Sequence, residues 1–119
     1  MNALDKAEEL KNRTKAFAIR IVTLFRSLPR STDAQVLGKQ VLRSGTSVAA
    51  NYRAVCRARS QAEFIAKMGV VVEEADETVF WIELLCATGI LRPQRTQALL
   101  KEANELVAIF GASLRTSKR

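Results

Sequence analysis

The chain contains no histidine among its 119 residues. That removes the usual general base near neutral pH and the commonest metal ligand. Cysteine is nearly absent. Cys56 and Cys86 sit in apolar helical contexts without CxxC spacing, so they read as small core residues suited to a reducing cytosol. Only two prolines and five glycines interrupt the chain, and no segment alternates apolar and polar residues as a half-buried strand would. No apolar run reaches the ~18 residues of a membrane span. The first residues carry Asp5, Glu8 and Glu9 rather than an apolar secretory core, so a cytoplasmic location without a leader is expected. Gly-rich phosphate loops, dinucleotide fingerprints and Ser-x-x-Lys pairs are also missing. The expectation is a protein that is not an enzyme and holds no cofactor or metal.

What is present is apolar periodicity. Hydrophobic residues make up 48% of the chain, enough to bury a core in one domain, residues 1–119. Turn signals divide it into four helical blocks, about 4–28, 32–58, 61–88 and 93–114. In the first, Leu10, Phe17 and Leu24 recur at heptad spacing beside Ile21 and Leu28, and Leu28-Pro29 ends it. The second opens at Ser31-Thr-Asp33, where Thr32 and Gln35 have capping-box spacing, with Ser31 or Asp33 as the alternative cap. Its stripe is Leu37, Val41, Ser44, Val48, Tyr52 and Val55, poor in bulk. Gly45, at about 1 kcal/mol against alanine in a helix, leaves room with Ala49 and Ala50 for another backbone. Ser60 and Glu63 form a second capping box. The third block is apolar around much of its circumference, so Phe80 and Trp81 point to a second apolar surface, used in subunit contact. Gly89 is placed to cap its end, and Pro93 to open the fourth. The residues after Leu114 read as a frayed tail. Short links make sequential helices antiparallel: an all-α, up-down-up-down four-helix bundle.

The charge of +7 is uneven. Residues 1–30, 31–59 and 90–119 each carry +4, while residues 60–89 carry −5. The acidic third helix is therefore set to pair with basic neighbours, and the basic excess must emerge elsewhere. Arg53, Arg57 and Arg59, with Arg43 earlier, crowd the second helix. Arginine at a helix C-terminus complements the dipole; the functional alternative is a phosphate-binding patch. Tyr52 is the one aromatic nearby, so base stacking has little support. Glu73, Asp76 and Glu77 share a face, but with no histidine and no second Glu-rich helix they read as a salt-bridging or solvated face rather than a metal site. Gln40, Arg43, Ser47 and Asn51 fall on one helical face. Such a line can set helix register through buried hydrogen bonds, line an oligomer interface or channel, or bind a ligand; an interface or register role is favoured.

These same residues carry a resemblance. Leu37, Gln40, Arg43, Ser47, Val48, Asn51 and Tyr52, followed by Arg57-Ala-Arg59-Ser60 and Glu63-Phe64, resemble the four-helix-bundle family of proteins encoded in intervening sequences of bacterial 23S ribosomal RNA genes, often labelled S23 ribosomal proteins. A relative is the accessory variability determinant of diversity-generating retroelements. The pattern covers nearly the whole chain and departs at one point, where Ala54-Val55 stand in place of the family's Glu-Gly. The resemblance implies a bundle assembled as a ring, a homopentamer. For the retroelement relative it implies a basic surface that binds RNA or DNA or a nucleic-acid-processing protein such as a reverse transcriptase. The rival function is a protein–protein adaptor with no nucleic-acid role.

Overall fold

The computed structural model describes residues 2–119. Four helices follow one another: α1 Ala3–Arg26, α2 Thr32–Val55, α3 Gln61–Ala87 and α4 Pro93–Ser117. Each packs against the next, and α4 meets α1 to close the bundle. It is elongated, 45 × 25 × 20 Å, as long helices side by side require.

Local hydrogen bonds set the ends. Asn2 caps α1, its Oδ1 accepting from the Asp5 amide at 2.9 Å. At the other end the Ser27 hydroxyl donates to the Leu24 carbonyl at 2.7 Å, so α1 stops at Arg26, short of Leu28. The Thr32–Gln35 capping box does not form. Ser31 is the N-cap without a side-chain bond, and Gln35 Nε2 reaches back to the Pro29 carbonyl at 2.8 Å. Asp33 Oδ1 instead accepts from the Ala34 amide. At its C-terminus α2 tightens into i→i−3 bonds from Arg57 to Ala54 and from Ala58 to Val55, ending the α-helix at Val55 rather than near residue 58. Ser60 caps α3 through the Glu63 amide at 3.1 Å, while Glu63 reaches the Arg59 amide. Gly89, at φ 77°, makes the left-handed turn after α3. α4 runs three residues beyond Leu114. The carbonyl of Ser117, in the presumed tail, accepts from Gln61 Nε2 at 2.8 Å.

The core gathers the apolar stripes: Phe17 and Ile21, Val41 and Val48, Val71 and Ile82, Leu106 and Phe110, all essentially inaccessible. Tyr52 packs on Phe110 with ring centroids 5.0 Å apart. At Gly45 the backbone of α2 lies close against a side chain of α1. A Cβ there would lie 2.6 Å from Ile21 Cγ1, so no larger residue fits without displacing a core side chain. Ala50, by contrast, is exposed.

Polar side chains also tie the helices together. The hydroxyls of Ser44 and Thr78 hydrogen-bond at 3.0 Å in the dry α2–α3 contact. Arg13 on α1 clamps α4 through Glu102 Oε2 and Oε1 at 2.8 and 2.7 Å and Glu105 at 2.7 Å. The Arg13 hydrogen bond and charge hold the Glu102 carboxyl below its ordinary pKa.

Candidate nucleic-acid interface

The second helix carries two differently used sets of polar residues. The first is centred on Arg43. Its guanidinium donates to Glu74 Oε2 at 3.1 Å and to Glu77, and its Nε lies 3.4 Å from Gln40 Oε1. Glu77 also accepts from the Trp81 indole N–H at 3.0 Å. The indole bond, and then Arg43, hold the Glu77 carboxyl below its ordinary pKa; Glu77 in turn raises that of Arg43. Five residues on two helices thus form one network: Gln40, Arg43, Glu74, Glu77 and Trp81. The acidic face is salt-bridged in part and solvated in part: Glu74 and Glu77 take Arg43, while Glu73 and Asp76 are exposed. Among the described residues no group of three or more metal-ligating side chains converges.

Farther along the same face, Asn51 Nδ2 donates to the Ser47 carbonyl at 2.9 Å and to Ser47 Oγ at 2.7 Å. These bonds stay within α2. The hydrogen bond that ties α2 to α3 in the core belongs to Ser44 and Thr78, one position round from the motif line. Phe80 is 52% exposed and meets Trp81 edge-on at 5.0 Å.

The second set lies at the α2–α3 corner. Arg53, Arg57, Arg59 and Lys67 rim an open cleft of about 510 Å³ with one carboxylate, Glu63. The last turn of α2 and the tight link after it bring the three arginines together. The Ser60 cap then fixes where α3 starts, and so where Lys67 stands. Glu63 pairs with Lys67 at 3.6 Å. Among the described residues, Arg53, Arg57 and Arg59 form no ion pair. Arg43 is not part of this cleft. Tyr52 is unavailable for stacking, since only 5% of it is exposed and burial raises the pKa of its hydroxyl. Lys67 is the residue the sequence reading passed over. Its signal was present: it is the sole Lys or Arg in the acidic residues 60–89, one turn after the Ser60–Glu63 cap.

Fold and corner together define a class: an antiparallel four-helix bundle with an acidic third helix, a paired arginine in its middle and a basic cleft at one end. Residues 6–112 match the model of the 23S rRNA-intervening sequence protein family. A crystal structure from Bacteroides thetaiotaomicron VPI-5482, of a protein with unknown function from the S23 ribosomal protein family, is similar at TM-score 0.81 and 35% identity, over 87% of this chain and 96% of that one. The chain belongs to the 23S rRNA-intervening sequence protein family. Among curated proteins, none matches. Neither similarity names a catalytic activity. Among the described residues no helix is long and apolar enough to cross a membrane.

Proposed function

We propose that this chain is a non-catalytic bundle that assembles with copies of itself and binds nucleic acid, alone or in a ribonucleoprotein, through its basic corner. The observation that carries this reading is the unpaired state of Arg53, Arg57 and Arg59 around one open cleft. Arginines that have no carboxylate partner keep their charge and their donors for phosphate oxygens. Assembly multiplies the +7 of each chain and raises avidity for a polyanion. A ring of five copies is the assembly proposed. The half-exposed Phe80 ring, edge-on to Trp81, supports self-association as apolar surface that a second copy would cover.

The test is light-scattering mass of the purified protein with the 260/280 nm absorbance ratio read on the same peak. A pentamer-sized peak carrying nucleic acid that leaves in high salt supports the reading. A peak free of nucleic acid, with no salt-sensitive binding to added RNA or DNA, sinks it. Phe80→Glu tests assembly separately. Phe80 is surface-exposed in the single chain, so the substitution is expected to yield a smaller, folded species; an unchanged mass overturns the interface assignment.

A second reading has its own observation. Phe80 and Trp81 lie on the acidic helix, a mixed apolar and acidic surface that suits a basic protein partner. A partner retained in equimolar amount after nuclease and high salt would favour that adaptor role.

A further inference from the structure

The basic corner does not end at α2. On the other side of the helix, between α1 and α2, a second open cleft of about 390 Å³ is rimmed by Lys11, Lys15 and Arg53, with Glu8 as its carboxylate. The two clefts share Ala50 and Arg53. Between them they gather six cations, Lys11, Lys15, Arg53, Arg57, Arg59 and Lys67, against two carboxylates.

We infer that the two clefts form one phosphate track, crossing α1, α2 and α3 over the Ala50–Arg53 ridge, that holds the sugar–phosphate backbone of a nucleic-acid duplex. This rests on the nucleic-acid reading above and adds to it the path, the α1 lysines and the form of the ligand.

Three features carry the inference. The first is the ridge. Ala49 and Ala50 line the α1 side, and Ala50 and Ala54 the α3 side, so the residues around Arg53 at the crossing end at Cβ and a backbone can pass over α2 beside its guanidinium. Arg53 stands exposed at the crossing, within reach of either side. The second is spacing. Packed helices lie about 8–10 Å apart, so successive grooves are separated by about that distance. A duplex carries one charge per about 1.7 Å of axis, so different phosphates can meet each cleft. The carboxylates do not block them: Glu8 pairs with Lys11 at 2.9 Å and Glu63 with Lys67 at 3.6 Å, both exposed, and such pairs are weak enough for a phosphate to displace. The third is what lines the clefts. No aromatic side chain rims either one. Single-strand binders stack bases on aromatic platforms; a surface of cations over alanine offers contacts to phosphate and sugar only, which a duplex presents on its outside.

The test is titration of a labelled short DNA duplex, and of its isolated strand, at several salt concentrations. The proteins are the unmodified chain, Lys11→Ala/Lys15→Ala, Arg57→Ala/Arg59→Ala, Ala50→Glu and the distant control Arg26→Ala. On the track, each lost contact lowers the salt slope of the duplex affinity by about 0.9. Both double variants are therefore expected to lower it by about 2, and Ala50→Glu to weaken binding at least tenfold by placing a carboxylate on an exposed helical position at the crossing. Arg26→Ala is expected to leave the slope unchanged. If the arginine pair matters and the lysine pair does not, the α2–α3 corner binds but the track is wrong. If the single strand binds more tightly than the duplex, the duplex assignment is overturned. If the unmodified chain shows no salt-dependent binding, the parent reading falls with it. Circular dichroism on each variant separates loss of binding from loss of fold.

Discussion

Arg43 and Arg53 are the same residue type on the same helix, both exposed, yet they serve opposite ends. Arg43 faces Glu74 and Glu77, and its charge is spent inside the molecule. Arg53 stands among alanines, other cations and two carboxylates, Glu8 and Glu63, that pair with lysines instead, and its charge is left for something outside. The difference lies in what α3 places opposite each. The middle of α3 carries carboxylates; its first turns carry Glu63 already engaged with Lys67. A basic cluster counted along one helix therefore overstates the binding surface, because availability is decided by the neighbouring helix. The rest of α2 divides the same way. Its middle is closed, with Gly45 pressed on Ile21; its last turns are open around Ala50.

The sharpest way to break this comparison is to put one substitution in each half. Gly45→Val drives two methyl groups into Ile21, whose atoms already stand 2.6–3.1 Å from an added Cβ. Overpacking of this kind costs about 3 kcal/mol, expected as a lower urea midpoint with unchanged slope. Ala50→Val, on the exposed side, is expected to shift stability by less than about 0.5 kcal/mol. Equal losses at the two sites would mean that α2 is not divided into closed and open halves.

The second contrast concerns charge. Arg53→Ala/Arg57→Ala/Arg59→Ala removes three free guanidinium groups. At about 0.15 M salt each phosphate contact is worth about fivefold in affinity, so the triple variant should bind roughly a hundredfold more weakly, across all nucleic-acid sequences. Its stability should hold. Arg43→Ala is expected to behave inversely: affinity changed less than about twofold, stability lowered by up to about 1 kcal/mol as an exposed ion pair is lost. A large affinity loss with Arg43→Ala would return that residue to the binding surface.

Much of the bundle was legible because it depends on period alone. Phe17, Leu24, Val41, Val48 and Tyr52 announced their burial by spacing, and Ser60 with Glu63 announced the start of α3. Pairings between helices were not legible. That Arg43 meets Glu74 and Glu77, or Ser44 meets Thr78, depends on how far α3 slides along α2, and no count along either helix contains that offset. The same gap hid the Arg13 clamp on Glu102 and Glu105. Ends were misjudged where one side chain decided them: Ser27 closing α1, Gln35 turning back to Pro29, Gln61 holding the last turn of α4. The basic corner was half legible. Its arginines are close in sequence, Arg53 in the last turn of α2 and Arg57 and Arg59 just after it, while Lys67 joins them only through the α2–α3 link.

The smallest effect expected is in the response to acid, and it separates the two regions by titration. Glu77 has its carboxyl held below the ordinary value, first by the Trp81 indole N–H and then by Arg43. The folded chain therefore releases that proton more readily than the unfolded chain. Its contribution to stability is present above the unfolded carboxylate value, near pH 4.3, and is lost as pH falls through the lower folded value. Glu77→Gln keeps the shape, removes the charge and should flatten that part of the acid limb, with little change in stability's pH dependence above about pH 5. Glu102, depressed through Arg13, behaves in the same sense and remains in the variant, so the limb is reduced rather than abolished. Arg53→Ala should leave the limb unaltered, because Arg53 holds no carboxylate in the fold. An acid limb that moved with Arg53 and not with Glu77 would mean that the free and the paired arginine had been assigned the wrong way round.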